Sequence, residues 1–454
     1  MKRRMFLSTS ITSVLAAKFL NAESLLNKNN LIEQNSTSSN EILKIGGLPV
    51  ETLLKDFHYY LFDEFLPFMD KYIIDHKYGG FMCATDRDGT HISENKFSWF
   101  EGRGIWVYSF LYRNFGENEK YLDIARKSLN LILKSKPKGD KLWSQELTRE
   151  GKPLSPPAER IYGDVFISEG LCEFAHASGE VKYWDEAKEI LLKCWRVYNK
   201  PDYYPNSVAD YAGPKIIPFP GAKIQGVAMV MIQTISKMLD LKHDDELQAI
   251  ISECVNAVIN KHYNHEFDLN NELLNHDYSL PDNELAQFVY TGHSIETLWM
   301  IMKEAVRTKD VKLFKTATKR FKRHVEVAWD DVYGGVFRSL NNVDKDLWEV
   351  DRIPKVLWAQ QEVINGAMIL IEQTEDEWAK HWFEKTYNYI VDKYYLKKHG
   401  YPLWQEYGDR NVTFKPHTTR IENYHLPRNL MLTYLALASI KKNNGKPVWE
   451  AAVN

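Results

Sequence analysis

The chain has 454 residues, 44% hydrophobic and 26% charged, and its 58 Lys and Arg stand against 61 Asp and Glu for a formal net charge of -3. That composition excludes the disordered, collagen-like and disulfide-stapled classes, and the near balance of charge leaves no global field to draw the chain to nucleic acid or an anionic membrane. Cys83, Cys172, Cys194 and Cys254 are scattered, with no Cys-x-x-Cys and no neighbouring ligand histidine, so they read as buried thiols rather than a zinc site or a disulfide framework. Aromatic content is 13%, with 13 Trp and 25 Tyr; such rings suit a large core or a carbohydrate-facing cleft, and composition does not choose between them.

Residues 1–22 open with Lys2, Arg3 and Arg4, continue through a mildly apolar run and reach Leu20-Asn21-Ala22. This is the layout of a secretory signal of twin-arginine type, which predicts export to the periplasm; the alternative is a basic, disordered N-terminus of a cytoplasmic protein. Residues 23–42 are polar enough to read as a linker, and no later run is long and apolar enough to span a bilayer. From Val50 onward the apolar spacing is helical, and two kinds of helix alternate. Segments 51–75, 118–136, 181–199, 244–264, 311–330 and 376–396 are amphipathic with charged faces. Segments 97–115, 162–176, 223–239, 291–306, 356–374 and 424–440 are apolar nearly all round and belong inside.

The inner segments recur roughly every 65 residues, as hairpins that must bury their apolar sides against one another. Six such hairpins closing on themselves predict an all-α fold, an (α/α)6 barrel, as one domain over residues 43–454; an open solenoid is the structural alternative. Tyr78-Gly79-Gly80-Phe81 and Tyr333-Gly334-Gly335-Val336-Phe337 precede the first and fifth inner helices, and their glycines predict tight turns in short β-hairpins at one end of the barrel.

Parallel inner helices gather their N-termini, the positive ends of their dipoles, at one mouth. His293 and His425 hold matching positions at the starts of the fourth and sixth inner helices. A histidine titrates near neutrality and serves as base in one direction and acid in the other, as reversible proton abstraction beside a carbonyl requires. Glu296, three residues after His293, is placed to fix its tautomer or to bind a substrate hydroxyl. Arg103 offers paired donors to an enediolate oxygen, while Trp99, Tyr162, Trp358 and Tyr424 are placed to stack on a sugar ring. A plainer reading keeps the histidines as caps, the tryptophans as core, and Glu296 and Glu362 as neutralisers of Arg103 or Lys355 in a buried network. Asp164 and Glu169 are the carboxylates a glycoside hydrolase on the same toroid would use. Asp86-Arg87-Asp88-Gly89 lacks the rest of a calcium loop and fits a hairpin turn, and Gly79-Gly80 lacks a following Gly-Lys-Ser/Thr. No metal and no cofactor is expected.

At these residues the chain resembles the N-acylglucosamine 2-epimerase family. The ordered segments that carry the resemblance are Tyr78-Gly-Gly-Phe with Asp86-Arg-Asp-Gly, Lys96-Phe-Ser-Trp-Phe-Glu-Gly-Arg103, Tyr162-Gly-Asp-Val-Phe-Ile-Ser-Glu-Gly170, Gly292-His-Ser-Ile-Glu296 with Trp299, Trp358 with Glu362, and Tyr424-His-Leu-Pro-Arg428. The resemblance implies an (α/α)6 barrel and a metal-independent proton transfer at carbon 2 of a reducing sugar. It implies His293 and His425 as the acid/base pair, with Arg103, Glu296 and Glu362 in support, and Arg428 among the substrate-binding residues. Lys223-Ile-Gln-Gly-Val-Ala-Met-Val230 has no histidine where cellobiose epimerases and several isomerases carry one, and the Gly-His-Ser-Ile-Glu and His-Leu-Pro-Arg patterns lean toward the branch that exchanges N-acetylglucosamine and N-acetylmannosamine. The alternatives are an aldose-ketose isomerase or a mannose/cellobiose-type 2-epimerase on the same site, a hydrolase, or a non-catalytic carbohydrate or protein binder. Dimers are common in that family, which makes a second copy of the chain a candidate partner beside the sugar.

Overall fold

Helices with one apolar stripe alternate with helices that are apolar all round, and that alternation decides the architecture. The computed structural model describes residues 43–204, 219–341, 355–395, 407–408 and 417–449; the twin-arginine-like segment and the linker lie outside them. The outer helices are α1 (Val50–His58, prolonged by the wide turns Tyr59–Phe65 and Met69–Ile73), α3 (Glu119–Lys134), α5 (Lys182–Tyr198), α7 (Asp245–Asn256), α9 (Val311–Ala328) and α11 (Glu377–Lys393). The inner ones are α2 (Ser98–Asn114), α4 (Tyr162–Ser178), α6 (Gln225–Leu241), α8 (Thr291–Thr308), α10 (Leu357–Thr374) and α12 (His425–Lys442). Successive inner helices pack on one another and α12 returns to α2, while each inner helix packs on the outer helix that follows it and α12 packs on α1. The result is the closed (α/α)6 barrel rather than an open solenoid.

The two rings begin differently. Outer helices α3, α7, α9 and α11 start at Asn118, Asp244, Asp310 and Asp376, whose side chains accept N–H groups of the first turn, the usual capping arrangement. No inner helix has a side-chain bond from its own N-cap residue among the described residues; first-turn donors are taken instead by connecting segments, Ser98 N by the Gln145 carbonyl, Gln225 N by that of Glu272 and Gly292 N by that of Arg338. Two-residue strands lie just before α2, α6, α8 and α10. Each pairs antiparallel with a connecting segment: Lys96–Phe97 with Glu146–Leu147, Lys223–Ile224 with Leu273–Leu274, Phe288–Val289 with Leu340–Asn341, and Lys355–Val356 with Tyr407–Gly408. Helices α2 and α4 touch backbone to backbone, since a Cβ on Gly102 would lie 2.4 Å from Phe166 C and one on Gly170 2.5 Å from Gly102 O.

The two Gly-Gly turns are fastened by the same device. Gly79 and Gly80 sit at φ 82 and 85, Gly334 and Gly335 at 79 and 80, backbone that an L side chain rarely adopts. Asp75 accepts N–H groups of Lys77 and Tyr78, and Lys96 Nζ reaches Asp75 Oδ2 at 3.0 Å as well as the Gly79 carbonyl. Asp330 and Lys355 repeat this with Val332, Tyr333 and Gly334. Burial pushes the Asp75 carboxyl up, but Arg149 and Lys96 outweigh it and hold it at about 2.

The repeat differs beneath the turn. Glu101 accepts Phe81 N at 2.9 Å and Ser128 Oγ at 2.6 Å, whereas the corresponding Gln360 accepts Val336 N at 2.8 Å. Burial raises Glu101 to about 7. A carboxyl raised on folding binds more protons in the folded state, so its contribution to stability is full below about pH 4.5 and is lost as pH rises toward 7. Over that window the loss is about 3 kcal/mol. Glu101→Gln, which imitates Gln360, is expected to remove this part of the decline when denaturant unfolding is followed from pH 5 to 8; identical slopes for parent and variant would contradict it.

Candidate active site

The mouth defined by the inner N-termini holds two imidazoles, each tied through Nδ1 to a carboxylate. His425, the first residue of α12, lies 2.9 Å from Glu362 Oε1, and His293, the third residue of α8, lies 2.9 Å from Glu272 Oε1. Glu362 and Glu272 have no exposed side-chain surface, while the two imidazoles keep 11% and 14% of theirs. An ionised carboxylate only accepts, so each Nδ1 carries a proton and Nε2, directed away from the carboxylate, is the nitrogen that can gain or give the second proton. The half-buried Trp358 indole rests against both rings, with centroids 5.3 Å from His425 and 6.0 Å from His293. Gly292 makes room for it: a Cβ there would stand 2.4 Å from the Trp358 ring.

Beneath this pair the interior is polar and buried. Arg428, one turn into α12, donates to Glu362 Oε1 at 2.7 Å and to Glu296 Oε1. Trp299 Nε1 and Asn365 Nδ2 donate to Glu362 Oε2 at 2.8 and 3.0 Å. Burial pushes the Glu362 carboxyl up, but the Arg428 charge and the His425 bond prevail and hold it well below the usual range. Burial works against the Arg428 charge, and Glu362 and Glu296 more than restore it. Glu296, Glu362 and His425 bring ligand atoms within 4.8 Å of one another, a set that would suit a divalent cation. The guanidinium of Arg428 contacts all three and supplies positive charge in that place.

Toward the first hairpin, Arg103 pairs with Glu422 at 3.1 Å and lies over Phe166, Trp99 and Tyr424 at 4.1, 4.8 and 4.8 Å. Glu422 also accepts the N–H groups of Tyr424 and His425, which fixes the start of α12. Trp99 and Tyr162 are half-buried. The Tyr162 hydroxyl has no hydrogen-bond partner among the described residues. Burial and then the charge of Glu272 push its phenol well up, so it remains a donor.

The structure redistributes several predicted contacts. Glu296 does not fix the His293 tautomer; it bonds Arg428, and Glu272 takes the imidazole instead. Tyr424 is 1% exposed and gives its hydroxyl to Glu169 at 2.8 Å, so its ring is packed in the core and is not placed to stack on a sugar. Arg428 has no exposed surface, and its reach ends at the buried carboxylates. Glu362 stands behind His425 rather than at Lys355, which belongs to the Asp330 pair. Asp164 bonds Lys193 at 2.7 Å and Glu169 bonds Lys237 at 2.7 Å, both buried, so neither is presented to a leaving group. Glu272 and Glu422 were not singled out from sequence. Glu422 has a local signal, a carboxylate just ahead of a helix start; Glu272, on an irregular connection, has none.

By its family the chain falls in a class of carbohydrate isomerases. A family model described as N-acylglucosamine 2-epimerase matches residues 79–427, and the chain belongs to that family, whose members are carbohydrate epimerases. The N-acylglucosamine 2-epimerase of Mus musculus is 25% identical over 394 residues, covering 83% of this chain and 90% of its own. The structure of cellobiose 2-epimerase from Bacillus thermoamylovorans superposes with a TM-score of 0.70 at 16% identity, over 85% of this chain and 99% of that one. A crystal structure of D-mannose isomerase gives 0.64 at 14% identity, over 86% and 97%. These two likenesses establish the fold.

Removing the cation on the axis leaves two buried carboxylates facing each other. Arg428→Met is therefore expected to cost about 3–5 kcal/mol of stability, read from denaturant unfolding. A loss below about 1 kcal/mol would show that Glu296 and Glu362 do not depend on it.

Proposed function

We propose that the chain interconverts N-acetylglucosamine and N-acetylmannosamine, or close N-acyl analogues, by moving a proton at carbon 2. The observation that carries this reading is the pair of imidazoles, each bonded through Nδ1 to its own buried carboxylate. On the open-chain sugar, one Nε2 takes the carbon 2 proton, the C–H electron pair forms the carbon 1–carbon 2 double bond, and the carbonyl electrons move to oxygen 1 of the enolate anion. The other imidazole, protonated, returns a proton from its Nε2 to the opposite face of carbon 2, and the sugar keeps its formula. Arg103, cationic and with 10% of its side chain exposed, serves the anion. Trp99 and Trp358 offer their half-buried faces to the sugar ring, while the Tyr162 hydroxyl is buried. Glu296, Glu362 and Arg428 act from below, by holding His425 and the charge balance of the axis. The reading extends to location and assembly: the twin-arginine-like segment would carry the folded enzyme to the periplasm, and a second copy would be its partner, to be checked by cell fractionation and light scattering.

Proton NMR in heavy water with N-acetylglucosamine, N-acetylmannosamine, mannose, glucose and cellobiose tests the chemistry. The expected result is deuterium at carbon 2 and a new epimer from the N-acetyl sugars, with His293→Ala and His425→Ala each slowed about 10²–10⁴-fold. A ketose product would place the returned proton on carbon 1. Release of a smaller sugar, or binding without exchange, would refute the proposal.

A further inference from the structure

The two imidazoles are held from different places. The carboxylate behind His425 comes from the inner ring itself, on α10. The one behind His293 comes from outside it: Glu272 sits between the two-residue strands Leu269–Asn270 and Leu273–Leu274. Its backbone is pinned on both sides, with its N–H donating to the Phe288 carbonyl at 2.9 Å and its own carbonyl accepting Gln225 N at 2.9 Å. Those bonds tie it to the segments that begin α6 and lead into α8, and its side chain is fully buried with Oε1 at 2.9 Å from His293 Nδ1. Gly226, in the first turn of α6, completes the arrangement. A Cβ there would stand 2.7 Å from both Nδ1 and Cε1 of His293 and 3.2 Å from Glu272 Oε1, and the Gly226 N–H points at the same oxygen from 3.4 Å. The positive end of α6 thus lies against the carboxylate.

We propose that Glu272 is a positioning residue for proton transfer at His293, with Gly226 as the space it requires. The carboxylate holds the Nδ1–H tautomer, presents Nε2 as the base, and balances the imidazolium that forms when Nε2 takes the proton. The empty side-chain position at Gly226 lets the ring and the carboxylate meet. Each face of carbon 2 is then served by an imidazole with its own buried anion, although the two anions arise from unrelated parts of the chain. This rests on the reading of His293 as a proton-transfer group.

The test joins kinetics to a spectroscopic signature that needs no turnover. In ¹⁵N-labelled full-length protein, His293 is expected as the Nδ1–H tautomer in the parent and as a mixture in Glu272→Gln. Turnover of N-acetylmannosamine should lose about 10- to 100-fold in kcat with KM held within about twofold. Gly226→Ala should give the same two changes while its thermal unfolding midpoint stays near that of the parent. An unchanged tautomer in Glu272→Gln, or a loss expressed in KM alone, overturns the proposal. A changed tautomer together with a His293→Ala variant as active as the parent also overturns it, and in that case it is the reading of His293 that has failed.

Discussion

Arg428 is the point on which the interior depends. Its guanidinium lies on the barrel axis without exposed surface and bonds carboxylates from two other inner helices, Glu296 on α8 and Glu362 on α10. In a medium of low polarity no member of that set is tolerable alone. Three helices of the ring are therefore held in register by charge as well as by packing. The same bond keeps Glu362 ionised, and an ionised Glu362 decides which nitrogen of His425 carries a proton. One buried cation thus links the geometry of the ring to the protonation state of a group at its mouth.

The fold was largely legible because its signal is physical and repeated. A helix apolar on every side can only be internal, and an alternation of such helices with one-sided ones permits few arrangements. The predicted inner segment 97–115 and the observed α2 differ by a residue at each end, and the other five starts agree within two residues. The glycine turns were also anticipated, whereas the two-residue strands before the inner helices were not: residues 97, 223–224 and 356 read as the first residues of helices. Polar contacts were less legible. His293 and Glu296 share a face of α8 by spacing, yet one bonds outward to Glu272 and the other inward to Arg428, and only the tertiary neighbours choose. Tyr424 was placed beside Trp99 and Trp358 because all three are aromatic residues at inner helix starts. It lies just ahead of the α12 helix, where its ring turns into the core between Trp106 and Phe166.

The internal repeat shows which features belong to the frame and which to the chemistry. Asp75 with Lys96 and Asp330 with Lys355 are buried pairs that satisfy backbone at a strained turn, and they recur because the turn recurs. Lys223, before α6, reaches Asn199 at 2.6 Å, a neutral version of the same fastening. The imidazoles do not follow this repeat. They stand on α8 and α12, whereas the Lys-bearing strands lead into α2, α6 and α10. The fastening lysines and the two imidazoles occupy alternate hairpins of the ring.

The ring has a seam where its last hairpin meets its first, and much of the mouth is assembled across it. Ile421 N bonds the Cys83 carbonyl at 2.9 Å, Thr418 N and His417 bond Asp86 at 2.8 Å, Asn423 bonds the Phe100 carbonyl, and Glu422 meets Arg103. These partners are separated by more than three hundred residues. A nascent chain can build its hairpins one after another, but it cannot join Arg103 to Glu422, or give His425 its place, until the segment from 417 onward has left the ribosome. Until then the inner faces of the finished hairpins stay open along one side, as in other folds dominated by distant contacts. The mouth of this barrel is consequently completed only at the end of synthesis, and chains released early would expose apolar surface.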